Sequence, residues 1–105
     1  MEHRFTIGVE EEFQIVDPAT WNLRSHVSEL VEEGTPALHD QIKPEMIQSV
    51  VEVGTTICAD VDELRGEMLR MRRELVSAAE RVGMCVAAAG THPIAHWREQ
   101  TISPG

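Results

Sequence analysis

Basic residues are scarce in this 105-residue chain: 9 Lys and Arg stand against 18 Asp and Glu, giving a formal net charge of −9. That balance argues against a nucleic-acid partner or an anionic membrane surface, both of which need a positive face. Long apolar runs are missing as well. Hydrophobic residues make up 42% of the chain, yet no run approaches the ~18–20 residues of a membrane span. Cysteine is limited to Cys58 and Cys85, whose spacing suits neither a metal site nor a disulfide scaffold. Cys85 lies in an Ala/Val run and reads as a small buried hydrophobe. Met1-Glu2-His3-Arg4 leads straight into a strand pattern rather than a signal peptide, so the expected compartment is the cytoplasm. There is no glycine-rich phosphate loop and no Gly-x-Ser-x-Gly elbow. His92 and His96 are four apart, but Pro93 between them opposes the helix that a zinc-binding pair needs.

What the chain does contain is carboxylate in unusual places. At 11.7 kDa it is one domain or part of one. Residues 5–16 read as a strand: Phe5, Ile7, Val9, Phe13 and Ile15 fall on one face at period two, and Thr6, Gly8, Glu10, Glu12, Gln14 and Val16 fall on the other. Same-face neighbours two apart sit roughly 6.5–7 Å apart at the backbone, so Glu10 and Glu12 can converge on a shared cation. Like charges that close are unfavourable unless water, a cation or a basic partner screens them. The plainer alternative is a solvated strand face. Glu11 falls among the apolar positions, so either a bulge re-aims it or that face holds polar partners.

The remaining elements follow from turn and capping signals. Asp17-Pro18-Ala19-Thr20 reads as a turn, after which residues 21–25 return as an antiparallel strand with Trp21 packed on the sheet. Residues 26–33 form a short helix through Val27, Leu30 and Val31, stopped by Gly34, with Gly34-Thr35-Pro36 as a loop. Residues 38–43 are a short extended stretch, ended or bent at Pro44. The β-branched run within residues 46–55 favours a strand, with Gln48, Val50 and Glu52 on one face and Ser49, Val51, Val53 and Thr55 on the other. Glu52 is then either a surface residue or the third member of a carboxylate cluster with Glu10 and Glu12. Residues 60–82 are the clearest helix. Asp60 and Glu63 resemble a capping box, Gly83 closes it, and Val61, Leu64, Met68, Met71, Leu75, Ala78, Ala79 and Val82 make an apolar stripe. Glu63, Glu67, Arg70, Arg73 and Glu74 are expected to face water. Residues 84–89 read as a fully buried strand, ending in Gly90-Thr91-His92-Pro93, where Thr91 and His92 either touch substrate or hold the loop. Residues 94–105 show no terminating element, as though a larger protein continues.

Three stretches, in order, carry a family resemblance: Gly8-Val9-Glu10-Glu11-Glu12-Phe13-Gln14-Ile15-Val16-Asp17-Pro18, then Lys43-Pro44-Glu45-Met46-Ile47-Gln48-Ser49-Val50-Val51-Glu52-Val53-Gly54-Thr55, then Ala88-Ala89-Gly90-Thr91-His92-Pro93. Together they resemble the glutamate–cysteine ligase type 2 family, the bacterial carboxylate–amine ligases. Members are several times longer, so residues 1–105 would be the N-terminal portion of one catalytic domain. The resemblance implies an α+β fold, an antiparallel sheet with helices packed on one face, within a glutamine synthetase-like domain. It also implies that ATP activates a carboxylate as an acyl phosphate for attack by an amine such as that of cysteine, as in glutathione biosynthesis. Carried onto this chain, it makes Glu10, Glu12 and Glu52 the Mg²⁺ ligands and Gln48, Thr91 and His92 candidate substrate-binding residues. It assigns no side chain to the chemistry itself. The expected partners are ATP, an amino-acid carboxylate and an amine, with neither nucleic acid nor membrane. No Arg/Lys cluster able to grip a triphosphate lies on these strands, so this portion by itself is expected to be inactive. The competing reading is a non-catalytic module that binds divalent cations or assembles with a partner chain, copies of itself included, through an exposed strand edge.

Overall fold

The computed structural model describes residues 5–89 and 100–102. In chain order the elements are β1 (Glu10–Val16), α1 (Val27–Leu38), a 3₁₀ turn (His39–Gln41), β2 (Ile42–Pro44), β3 (Val50–Gly54), α2 (Val61–Arg81) and β4 (Cys85–Ala87). The strands form one antiparallel sheet in the order β2-β3-β1-β4. Period-two alternation divides its faces. Phe13, Ile15, Ile42, Val51 and Val53 pack against Val27, Leu30 and Leu38 of α1 and Met71, Leu75, Ala78 and Ala79 of α2. Each fully buried Val, Leu or Ile there contributes about 1.5–3 kcal/mol relative to exposure. Both helices therefore join the core on one face, the α+β arrangement expected. Glu10, Glu12, Val50, Glu52 and Lys43 share the opposite register.

Glu11 settles its own alternative. The β1–β3 register runs unbroken from Glu10 opposite Gly54 to Gln14 opposite Val50, so no bulge re-aims it. It points to the helix side and meets Arg72 of α2 through both carboxylate oxygens, at 3.0 and 2.6 Å. β1 begins at Glu10 rather than Phe5, which is 92% exposed. Just before it, Val9 N–H donates to the Thr55 hydroxyl at 2.9 Å, a side chain standing where a ladder carbonyl would be. Pairing continues before β1 through Thr55 N–H to Val9 O at 2.9 Å and the Ile7–Cys58 bridge.

Several expectations are corrected. The return strand at residues 21–25 reduces to a single bridge between Val16 and Leu23, because β3 and β4 already occupy both edges of β1. Trp21 does not pack on the sheet; it is 65% exposed and takes a positive φ of 61° as the chain leaves the Asp17 turn. In that turn the Asp17 carboxylate accepts from Ala19 and Thr20 N–H. Gly34 does not stop α1, and Gly34-Thr35-Pro36 is not a loop: the helix runs through all three to Leu38. Gly34 is buried against β2, where a Cβ would come within 2.7 Å of Ile42 Cδ1, so it marks a close approach rather than a terminus. Pro36 is tolerated in the last turn because the carbonyl it leaves unbonded belongs to exposed Glu32. Residues 38–43 divide among the end of α1, the 3₁₀ turn and β2.

α2 is framed as the sequence suggests. The Asp60 carboxylate accepts from Glu63 N–H at 2.8 Å and Glu63 in turn accepts from Ala59 N–H at 2.6 Å. Gly83, at φ 73°, closes the helix with Met84 N–H bonded to Ala79 O and Gly83 N–H to Glu80 O, a Schellman arrangement. Val61 departs from the expected stripe and is 70% exposed, and Glu67 does not face water, as described below. β4 is not buried throughout: it is a half-buried edge strand, so its lack of alternation reflects an edge position rather than a sheet interior. Cys85 is accordingly half-buried, and Cys58 is the buried thiol.

Candidate functional site

The open face of the sheet collects carboxylates because β1 and β3 deliver them in register and the residue after β2 adds another. Glu12 on β1 stands directly opposite Glu52 on β3, and Lys43 on β2 stands opposite Glu52 from the other side. One residue beyond β2, Glu45 keeps the alternation of Lys43, and its N–H reaches the Val50 carbonyl at 3.4 Å. Carboxylate oxygens of Glu12, Glu45 and Glu52 all lie within 4.8 Å of one another. Glu10 flanks the group two residues before Glu12, opposite Gly54, where the absent side chain leaves it room.

The electrostatics follow from crowding. A hydrogen bond with Glu45, then desolvation, then the charges of Glu45, Glu52 and Glu10 push the Glu12 carboxyl up from its ordinary range. Burial comes first for Glu52, followed by the charges of Glu10 and Glu45 and a hydrogen bond to Glu10, with Lys43 opposing. Such groups hold protons more tightly than ordinary carboxylates when nothing else neutralises them. An all-oxygen donor set of this kind fits a hard divalent cation.

Beside the cluster lies an open cavity of about 710 Å³ bounded by Glu10, Asp40, Lys43, Thr55 and Thr56 among others. Its back wall is fixed by α2. Glu67 accepts from Thr56 N–H at 3.2 Å and from the Thr56 hydroxyl at 2.5 Å, and it also binds Arg70 Nε and Gln41 Nε2. The bonds from Arg70 and Thr56 hold its pKa at about 2.

Of the residues expected from the sequence, Glu10, Glu12 and Glu52 share this face. Gln48 does not lie on the β3 strand face; β3 starts at Val50. It sits in the preceding turn, where its N–H donates to Thr101 O at 2.7 Å and its side chain to Ile102 O at 3.4 Å. Thr91 and His92 lie outside the described residues. Glu45 is not among the residues expected from the sequence. The extended stretch does end at Pro44, which is the last paired residue of an edge strand, opposite Val51, and Glu45 follows it. The signal was period two counted through the proline: Lys43 and Glu45 on one side, Ile42 on the other.

Among the described residues no helix is long and apolar enough to cross a membrane. The family model for glutamate–cysteine ligase family 2 matches residues 6–105. A protein of Herpetosiphon aurantiacus provisionally named glutamate–cysteine ligase 2 is 50% identical over 100 residues, covering 95% of this chain and 26% of that protein. One of Sorangium cellulosum with the same name is 49% identical over 107 residues, covering 100% of this chain and 28% of its own length. A third, of Solibacter usitatus, is 47% identical over 100 residues. The chain thus spans about a quarter of the length of these relatives. With an aligned match over nearly all of its residues, and with all three motif stretches inside the matched span, the chain belongs to glutamate–cysteine ligase family 2.

Proposed function

We propose that this chain is part of the catalytic domain of an ATP-dependent carboxylate–amine ligase, and that Glu12, Glu45 and Glu52, with Glu10 beside them, hold Mg²⁺. The observation that carries this reading is the convergence of three carboxylates from three segments within 4.8 Å on one open sheet face. The names of the relatives support glutamate as the activated carboxylate and cysteine as the amine. Bound among these side chains, Mg²⁺ would neutralise charge on the nucleotide phosphates during in-line phosphoryl transfer.

The chain's own part is to bind and orient. Glu52 sits mid-sheet on β3, flanked by β1 and β2, so its backbone is held from both sides. Glu11, on the opposite face, ties β1 to Arg72 of α2 and so steadies the backbone between Glu10 and Glu12. Lys43 partly offsets the charge at Glu52. Gln48, Thr91 and His92 remain candidates for substrate contact, and a cytoplasmic location belongs to the same reading. Recombinant full-length protein should release ADP only when glutamate and cysteine are both present. Losing one cation ligand costs several kcal/mol of transition-state stabilisation, so Glu52→Gln should lower that rate by roughly a hundredfold or more. A Glu52→Gln enzyme as fast as wild type would end this reading.

A further inference from the structure

From the packing behind the carboxylates we infer that Glu67 of α2 is a positioning residue, which sets β2 on β3 and thereby brings Glu45 into the cluster. This rests on the cation-site reading above for its functional meaning. The argument begins with the weakness of β2. It is three residues long, lies at the sheet edge and ends in Pro44, which has no N–H to give. Three register pairs, Ile42–Val53, Lys43–Glu52 and Pro44–Val51, the long Glu45 N–H to Val50 O bond at 3.4 Å and the buried Ile42 side chain hold it in place. Glu45 follows directly, so its carboxylate lies near Glu12 and Glu52 only while that register holds.

The start of β2 is anchored by side chains instead. Gln41 Nε2 donates to the Gly54 carbonyl at 3.1 Å, adding a side-chain rung one residue beyond the Ile42–Val53 pair. Glu67 accepts from the same Nε2 at 3.4 Å, while Arg70, bound to Glu67, donates to Gln41 Oε1 at 2.6 Å. Thr56, two residues past Gly54, is held to Glu67 through both its N–H and its hydroxyl. One carboxylate, its side chain only 12% exposed, thus grips the segment entering β2 and the segment leaving β3. The two strands that carry Glu45 and Glu52 are clamped at one shared end from a helix on the other face.

Partners hydrogen-bonded directly to a metal ligand typically cost about 10–100-fold in metal affinity when removed, and Glu67, acting one contact further out through Gln41 and Thr56, falls at the lower end of that range. The test is calorimetric titration of the full-length protein with Mg²⁺ and with Mn²⁺, comparing wild type, Glu67→Ala, Gln41→Ala and Asp60→Ala. Asp60→Ala weakens the same helix at its cap without touching β2, so it separates positioning from general destabilisation. Glu67→Ala should bind either cation roughly tenfold or more weakly, Gln41→Ala should follow it, and Asp60→Ala should bind as wild type does. If Glu67→Ala fails to fold, Gln41→Ala alone carries the comparison. Affinity within twofold of wild type in Glu67→Ala and Gln41→Ala overturns the inference, as does an equal loss in Asp60→Ala. If wild type takes up neither cation, the site reading fails, and the positioning role is judged on cross-strand nuclear Overhauser contacts. Loss of the Ile42–Val53 and Pro44–Val51 contacts in Glu67→Ala upholds it, and their survival overturns it.

Discussion

In the proposed reading Glu52 is a side chain whose crowding by like charges opposes the fold while serving a cation site. Its carboxyl and that of Glu12 have native pKa values raised above the ordinary 4.5, so the folded chain binds protons more tightly than the unfolded chain above that value. Their contribution to stability is therefore present at the acid end of the window and is lost as pH rises through the raised values. Removing one charge relieves the others. In a chelating buffer Glu52→Gln should raise the midpoint of thermal unfolding at neutral pH and flatten its dependence on pH above the ordinary 4.5. A lower midpoint, or an unchanged slope, would show that Glu52 is not under like-charge strain. Gly34 makes the second residue-scale prediction. Gly34→Ala places a methyl 2.7 Å from Ile42 Cδ1, and overpacking opposes the helix-propensity gain of about 1 kcal/mol. Ile42→Val deletes that Cδ1 atom. In a double-mutant cycle by chemical denaturation, Gly34→Ala should be more favourable in the Ile42→Val background by about 0.5 kcal/mol or more; strict additivity would contradict the contact.

At the scale of elements, legibility tracked how local the determinants are. α2 was readable because Asp60, Glu63 and Gly83 cap it within its own sequence, and the β1 and β3 faces were readable from alternation. Gly34 reads as a helix stop in the sequence because the reason for it, Ile42, lies on another element, and a helix-stop glycine has the same letter as a close-packing one. The second hairpin strand failed because a strand needs a free edge, and which edges of β1 are free is decided by β3 and β4. Glu67 looked like one more solvated helix carboxylate until the Thr56 and Gln41 segments came up against it. Its acid response has the opposite sign to that of Glu52. With a native pKa of about 2, it stabilises the fold above the ordinary 4.5 and this contribution is lost as pH falls from there toward 2. Acid unfolding of Glu67→Gln should begin from a lower stability and fall less steeply between pH 4.5 and 2.5, followed by circular dichroism; a parallel curve would contradict the Thr56 and Arg70 bonds. At the helix start, Asp60→Ala should cost about 0.5–2 kcal/mol in denaturant unfolding, and no loss would contradict the observed cap.

At the largest scale, the described residues form two layers that place the carboxylates. Two helices and five inward-facing strand residues make one core, which leaves the other face of the sheet to carry polar groups that a buried face could not accept. Three segments then set Glu12, Glu45 and Glu52 together, with Glu10 at the margin. The most direct measurement is the unfolding temperature of the full-length protein with and without Mg²⁺, for wild type and for Glu12→Gln/Glu52→Gln. A cation that binds only the folded state at a hundred times its dissociation constant adds about 2.7 kcal/mol of stability. The account predicts a clear Mg²⁺-dependent rise for wild type and, for the double variant, a higher midpoint in chelator with no response to the cation. A wild type indifferent to Mg²⁺, or a double variant that responds equally, would contradict it.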